Sequence, residues 1–148
     1  MQAGMKTHLM YHKESWAYTP KAIGAAVGYD LFSPKKATIR QGEITLIDTG
    51  ITIELPADWE GQVRGKSGMA TKGIAVVNSP GTIDPDYRGT IGVILTKLTP
   101  GDYEVSPGDK IAQLVFNKIE HPEWVLLSLY SNMIETERGK GGFGSTGR

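Results

Sequence analysis

The sequence predicts an all-β protein of sandwich, jelly-roll or barrel type, and three observations carry that prediction. Short stretches rich in Val, Ile, Leu, Thr and Tyr recur along the chain, and these side chains suit a pleated, half-buried surface. Prolines and glycines punctuate them at Pro34, Gly42, Pro56, Pro80-Gly81, Pro100-Gly101 and Pro107-Gly108, fixing or freeing φ where a chain reverses. The one plausible helix is very short. Many short strands at such spacing argue closed or stacked sheets.

From the N-terminus, His8 and His12 fall in a stretch expected to be extended. They are four apart without a Glu after His8, which argues against a helical two-histidine metal site. Gly24-Ala-Ala-Val-Gly-Tyr-Asp-Leu31 is a small-residue segment where a ligand or a second backbone could approach Asp30. Ile44–Ile47 and Gly50–Leu55 read as strands. Ser67 is expected to N-cap a turn or so of helix over Gly68–Lys72, stopped by Gly73. That helix is too short to pack, but its free N–H groups would suit an anion.

Ile74–Val77, Ile91–Leu98, Ile111–Lys118 and Trp124–Leu129 complete the expected strands. Between the first two lies Asn78-Ser-Pro-Gly-Thr-Ile-Asp-Pro-Asp-Tyr-Arg-Gly89. It is expected to form a hairpin that offers backbone donors and acceptors to a ligand edge, with Asp84, Tyr87 and Arg88 nearby. The last eleven residues, from Arg138, hold five glycines, three cations, two hydroxyls and Phe143. Such a segment is either a plain polar tail or a flexible grip for a nucleotide, its ring against a base and its cations and hydroxyls on phosphate.

The chain has 148 residues, of which 39% are hydrophobic, enough for one core and one domain. Sixteen basic and sixteen acidic residues cancel, so no long-range field draws it to nucleic acid or an anionic membrane. There is no cysteine, which excludes disulfides, thiolate catalysis and the zinc sites of zinc-dependent deaminases. No apolar run of signal or spanning length occurs, so a cytoplasmic protein is expected. Two motif matches fail on context. Gly139-Lys-Gly-Gly-Phe-Gly144 has no helix after it, and Gly61-Gln-Val-Arg-Gly-Lys-Ser67 is one residue short of a phosphate-binding loop.

Five segments together resemble the motifs of the homotrimeric deoxyuridine triphosphatases, over nearly the whole chain from Ala25 to Gly147. They are Ala26-Val-Gly-Tyr-Asp-Leu-Phe-Ser33, Gly65-Lys-Ser-Gly-Met-Ala70, Gly81-Thr-Ile-Asp-Pro-Asp-Tyr-Arg-Gly89, Gly108-Asp-Lys-Ile-Ala-Gln-Leu-Val115 and Arg138-Gly-Lys-Gly-Gly-Phe-Gly-Ser-Thr-Gly147. The resemblance implies a distorted jelly roll over residues 1–134 and a flexible tail, 135–148, that closes an active site of a trimer. It also implies hydrolysis of dUTP to dUMP and pyrophosphate by water attack on the α-phosphorus, which lowers dUTP and supplies dUMP for thymidylate synthesis.

By the same resemblance, Asp84 is the general base. Ser67, with Lys66, Gly68 and Gln113, serves the phosphates. Asn78, Gly81, Thr82, Ile83 and Gly92 pair with uracil, and Tyr87 lies against the deoxyribose and bars a 2′-hydroxyl. Phe143 and Gly144 close over the base while Arg138, Ser145 and Thr146 reach the phosphates. Mg²⁺ is the implied cofactor, with Asp30 meeting it through water. Lys66 stands where most relatives carry Arg, a point charge in place of a fork; Arg64, two residues earlier, could compensate. Two rivals are a dCTP deaminase of related fold and a trimeric nucleotide-binding regulator. The Asp84/Tyr87 pair and the complete tail favour the pyrophosphatase over the first. The intact Asp30, Ser67, Asp84 and Gln113 argue against the second.

Overall fold

A computed structural model describes residues 7–145 and 147. Eleven strands appear, in order β1 (Met10–Lys13), β2 (Tyr29–Phe32), β3 (Ala37–Ile39), β4 (Thr45–Asp48), β5 (Ile51–Glu54), β6 (Trp59–Arg64), β7 (Ile74–Val76), β8 (Gly81–Ile83), β9 (Gly92–Lys97), β10 (Tyr103–Val105) and β11 (Lys110–Lys118). The helix α1 (Ser67–Ala70) lies between β6 and β7, and a 3-10 turn spans Tyr130–Asn132.

The strands form a four-stranded sheet, β2-β11-β6-β8, a three-stranded sheet, β4-β9-β7, and two ribbons, β1-β5 and β10-β3. All strand pairs are antiparallel. The result is an open, distorted jelly roll, as the family resemblance implies and within the all-β class that the strand-rich sequence predicts. In β9 every second residue is buried, Val93, Leu95 and Lys97, as side chains alternating across a pleated strand require. Ile39, Ile47, Ile51, Ile91, Ile111 and Leu114, each at most 2% exposed, centre one apolar cluster fed by both sheets. The buried ammonium of Lys97 is satisfied by the carbonyls of Thr99 and Pro100 and the Thr99 hydroxyl.

Three local expectations need correction. Lys66, not Ser67, occupies the N-cap, and it does so without a side-chain cap bond; Ser67 is the first helical residue. The helix also packs, because Met69 is buried in the core. Gly73 does stop it, at φ +77. The expected hairpin over 78–89 is instead a crossing between sheets, since β7 pairs with β9 and β8 pairs with β6.

The expected strand Trp124–Leu129 has no regular structure. Trp124 and Leu126 are each 95% exposed. The composition suits a strand, but a strand exists only beside a partner, and among the described residues the segment meets none. β1 begins at Met10, so His12 is in a strand and His8 precedes it.

Candidate active site

Two groups of predicted site residues assemble at separate places on the chain. The first surrounds Asp30 in β2. Gln113 of β11 lies opposite both Asp30 and Arg64 of β6, so the central strand ties the two flanking segments together. The Asp30 side chain is only 9% exposed. Lys66 donates to its Oδ1, and the Lys110 ammonium lies 3.1 Å from Oδ2. Burial pushes this carboxyl upward, but hydrogen bonds from Lys66 and Lys110, helped by their charge, outweigh it and hold Asp30 below its ordinary value of 3.8.

Lys110 is a member of this group that the sequence reading did not single out. Along an unbroken strand residues 110 and 113 would project from opposite faces. The ladder between β11 and β2 shifts register between Lys110 and Ala112, and that bulge brings the Lys110 side chain onto the carboxylate beside which Gln113 lies. One carboxylate between two ammoniums leaves the trio with a net charge of about +1. Arg64 does not join it, because its Nε and Nη2 both donate to Gln62 Oε1, at 2.9 and 2.7 Å.

The small residues around Asp30 have a concrete use. A Cβ at Gly28 would stand 2.2 Å from Gln113 Oε1, so the close approach expected there is made by the glutamine side chain. Gln113 Nε2 also donates to the Gly65 carbonyl at 2.9 Å, fixing the turn that leads into Lys66 and Ser67. Ser67 and Gly68 are exposed. Their N–H groups precede Met69 and Ala70, whose N–H groups are the first to bond within the turn, both to the Lys66 carbonyl.

The second group lines a pocket of about 140 Å³ formed by Val63, Asn78, Gly81, Thr82, Ile83, Tyr87, Ile91 and Gly92. Six of these were expected from sequence; Val63 and Ile91 are apolar walls whose chemistry gives no signal. β8 is an edge strand, so one side of its backbone keeps unpaired N–H and C=O groups. Asp84 follows β8 directly, exposed, with its carbonyl accepting from the Tyr87 N–H at 3.1 Å. The Tyr87 hydroxyl donates to the Thr90 carbonyl at 3.0 Å, and Arg88 Nη1 donates to the carbonyls of Pro85 and Tyr87. Arg88 therefore braces the loop.

Among the described residues no hydrogen bond or ion pair joins the two groups. The tail, among the described residues, bonds to neither. Arg138 Nε donates to the Gly141 carbonyl, Ser145 N–H to that of Gly142, and Lys140 lies over the Tyr130 ring. Phe143 is fully exposed, Gly144 is exposed beside it, and Thr146 lies outside the described residues. Among the described residues no three His, Cys, Asp or Glu side chains gather as a metal site. A larger pocket of about 500 Å³, lined by Leu9, Tyr11, Val27, Ile53, Trp59 and Phe116 among others, is apolar and contains none of the predicted site residues. Its chemistry is that of packing.

A family model described as dUTPase matches residues 14–147. The deoxyuridine 5′-triphosphate nucleotidohydrolase of Rickettsia akari (strain Hartford) is 50% identical over 125 residues, covering 82% of this chain and 82% of that protein. In shape the chain is similar to a variant of the Staphylococcus bacteriophage 80alpha dUTPase solved with dUpNHpp, at a TM-score of 0.87, 23% identity and coverage of 97% of this chain and 100% of that one. It is also similar to a variant of the dUTPase from phage phi11 of S. aureus, in which a structural Mg(II) ion is coordinated, at a TM-score of 0.75, 22% identity and coverage of 84% and 99%. Those two likenesses speak for the fold, whereas the match over residues 14–147 and the half-identical relative carry kinship. With the pocket between β6, β8 and β9 already in place, they establish that this chain belongs to the dUTPase family.

Proposed function

We propose that the protein hydrolyses dUTP to dUMP and pyrophosphate, lowering dUTP and supplying dUMP for thymidylate synthesis. The observation that carries this reading is the edge-strand pocket, with the exposed carboxylate of Asp84 next in sequence to its lining residue Ile83, in a chain of this family. Uracil offers one N–H donor between two carbonyl acceptors. The backbone groups that the edge strand β8 leaves unpaired over Gly81–Ile83, with the Asn78 amide beside Gly81, supply the complement, and Gly92, whose missing Cβ makes room for Leu46, lines the same pocket. Cytosine exchanges donor and acceptor, which strands buried polar groups, and such a mismatch costs several kcal/mol, on the order of 10⁴-fold in selectivity. Tyr87 faces the sugar and excludes a 2′-hydroxyl.

Asp84 acts as the general base, taking the proton from a water that attacks the α-phosphorus. This needs only a carboxylate within hydrogen-bond reach of that water. Lys66, Ser67, Gly68 and Gln113 receive the phosphates, and the net positive charge around Asp30 offsets the charge that builds on the departing pyrophosphate. Arg138, Phe143, Gly144, Ser145 and Thr146 close the site, with residues 135–148 acting as a separate flap on a body of residues 1–134.

The residues present fit Mg²⁺ held chiefly by triphosphate oxygens and water, since such an ion keeps its hydration and needs no protein cage. Asp30 can meet it through water, because each carboxylate oxygen has a lone pair beyond the one its lysine uses. The ion supplies charge neutralisation to the phosphates. The separation of the two residue groups supports a homotrimer in which different protomers complete one site. The exposed run Trp124–Leu129 and the apolar pocket beside β1 and β5 give such an assembly surface to bury. The nucleotide pool places the work in the cytoplasm, or inside a host cell for a phage or viral chain, with no nucleic-acid or membrane partner.

The test is release of pyrophosphate from dUTP, dCTP, dTTP and UTP with and without Mg²⁺, with ammonia release from dCTP followed in parallel. Mg²⁺-dependent release from dUTP alone is expected. Ammonia from dCTP would assign the chain to deamination, and binding of dUTP without turnover would leave it a regulator.

A further inference from the structure

We propose that Gly89 and the Thr90 carbonyl are the elements that set sugar selectivity, by fixing where the Tyr87 ring stands. This rests on the reading of Tyr87 as the wall against the deoxyribose. Tyr87 is 46% exposed, so packing alone does not hold it. Two features of the chain just beyond it do. Its hydroxyl donates to the Thr90 carbonyl at 3.0 Å, which bends the ring back over its own loop. A Cβ at Gly89 would stand 2.3 Å from the Tyr87 hydroxyl oxygen, 2.6 Å from Cζ and 3.0 Å from Cε2.

Those distances lie well inside van der Waals contact, and the ring is rigid, so any side chain at position 89 displaces it. The backbone does not explain the glycine. Gly89 is not among the residues with positive φ, so alanine would meet no strain there apart from the ring. The base of the loop is independently braced by the Tyr87 N–H on the Asp84 carbonyl and by Arg88 on the Pro85 carbonyl. Displacement at Gly89 is therefore taken up by the ring itself. Gly89 and Thr90 touch the ring and not the substrate, which makes them positioning residues.

A ring moved by about 1 Å is enough to change the fit of one hydroxyl group, and misplacements of that size change rates by up to about 10²-fold. The experiment measures kcat/KM for dUTP and for UTP on the intact assembly for Gly89→Ala, Tyr87→Phe, Tyr87→Ala and the double variant Gly89→Ala/Tyr87→Ala. Gly89→Ala is expected to cut the dUTP-over-UTP preference at least about tenfold, with melting and circular dichroism unchanged. In the Tyr87→Ala background the same substitution is expected to change nothing, because a residue that acts through the ring is silent without it.

Tyr87→Phe, which loses the Thr90 anchor, is expected to fall between the parent and Tyr87→Ala. It carries the test alone should Gly89→Ala not fold. An undiminished preference in both Gly89→Ala and Tyr87→Phe, with Tyr87→Ala impaired, overturns the roles of Gly89 and Thr90 while sparing that of Tyr87. An undiminished preference in Tyr87→Ala overturns the sugar reading beneath them.

Discussion

Replacing Asp30 by Asn removes the one negative charge that two ammoniums share and leaves the rest of the shape nearly intact. Taking one partner from a fully buried ion pair costs about 3–5 kcal/mol, whereas an exposed pair contributes about 0.2–1. Asp30 lies near the buried limit at 9% side-chain exposure, while Lys66 and Lys110 are 26% and 43% exposed. Water therefore recovers part of what the two cations lose, and a deficit of about 1–3 kcal/mol at neutral pH follows.

The deficit has a defined pH dependence. The folded value of Asp30 lies below 3.8, so its contribution is complete above the unfolded value. It is lost as pH falls below 3.8 through the folded value. Urea unfolding of parent and variant at equal protein concentration, at pH 7 and then at the most acid pH where the parent remains folded, reads both quantities. Concentration must match because the stability of the proposed assembly depends on it. Equal stability at pH 7, or a deficit that does not shrink once the pH is below 3.8, refutes the reasoning.

Asp84→Asn should lower kcat by about 10²–10⁴-fold while calorimetry still shows dUTP binding; a near-normal rate removes Asp84 from the base role. Ending the chain at Glu137 should lower kcat/KM for dUTP sharply without moving the melting curve, and unchanged kinetics would show residues 138–148 to be idle. Gly50 sits at φ +69 with the Trp16 ring 2.6 Å from where a Cβ would be; Gly50→Ala should cost about 2–4 kcal/mol, read by urea unfolding, and a cost under about 0.5 contradicts the clash. Leu126→Asp, which places a charge in the exposed apolar run, should shift the proposed trimer to smaller species in sedimentation; an unchanged trimer takes that run out of the interface.

The strands that the sequence reveals are those with long apolar runs. Ile51–Glu54, Gly92–Lys97 and Lys110–Lys118 stand close to where their composition puts them. Short strands such as Ala37–Ile39 and Tyr103–Val105 carry too few apolar positions to show a period, and they exist because they pair with each other. Trp124–Leu129 shows the opposite failure, a strand composition without a partner among the described residues. Pocket residues such as Gly81 and Tyr87 were legible because turn chemistry and a family motif both mark them. Lys110 was not, because its position depends on a register shift in β11, and no residue type announces that shift. Ser67 was misplaced by one residue because a serine before a short apolar stretch is what an N-cap looks like, yet Lys66 takes the position.

The lysine–aspartate trio and the proposed base pocket rest on different scaffolding. Asp30, Lys66 and Lys110 depend on the junction of β2, β11 and the end of β6, whereas Asn78 and Tyr87 sit on loops that flank β8. Under the proposed function, natural or laboratory selection can therefore retune which nucleoside is accepted by altering those loops alone, with the residues proposed to handle the triphosphate inherited unchanged. A lineage that drifted toward another base would be expected to show its substitutions clustered around β8, with the lysine pair and its aspartate left in place.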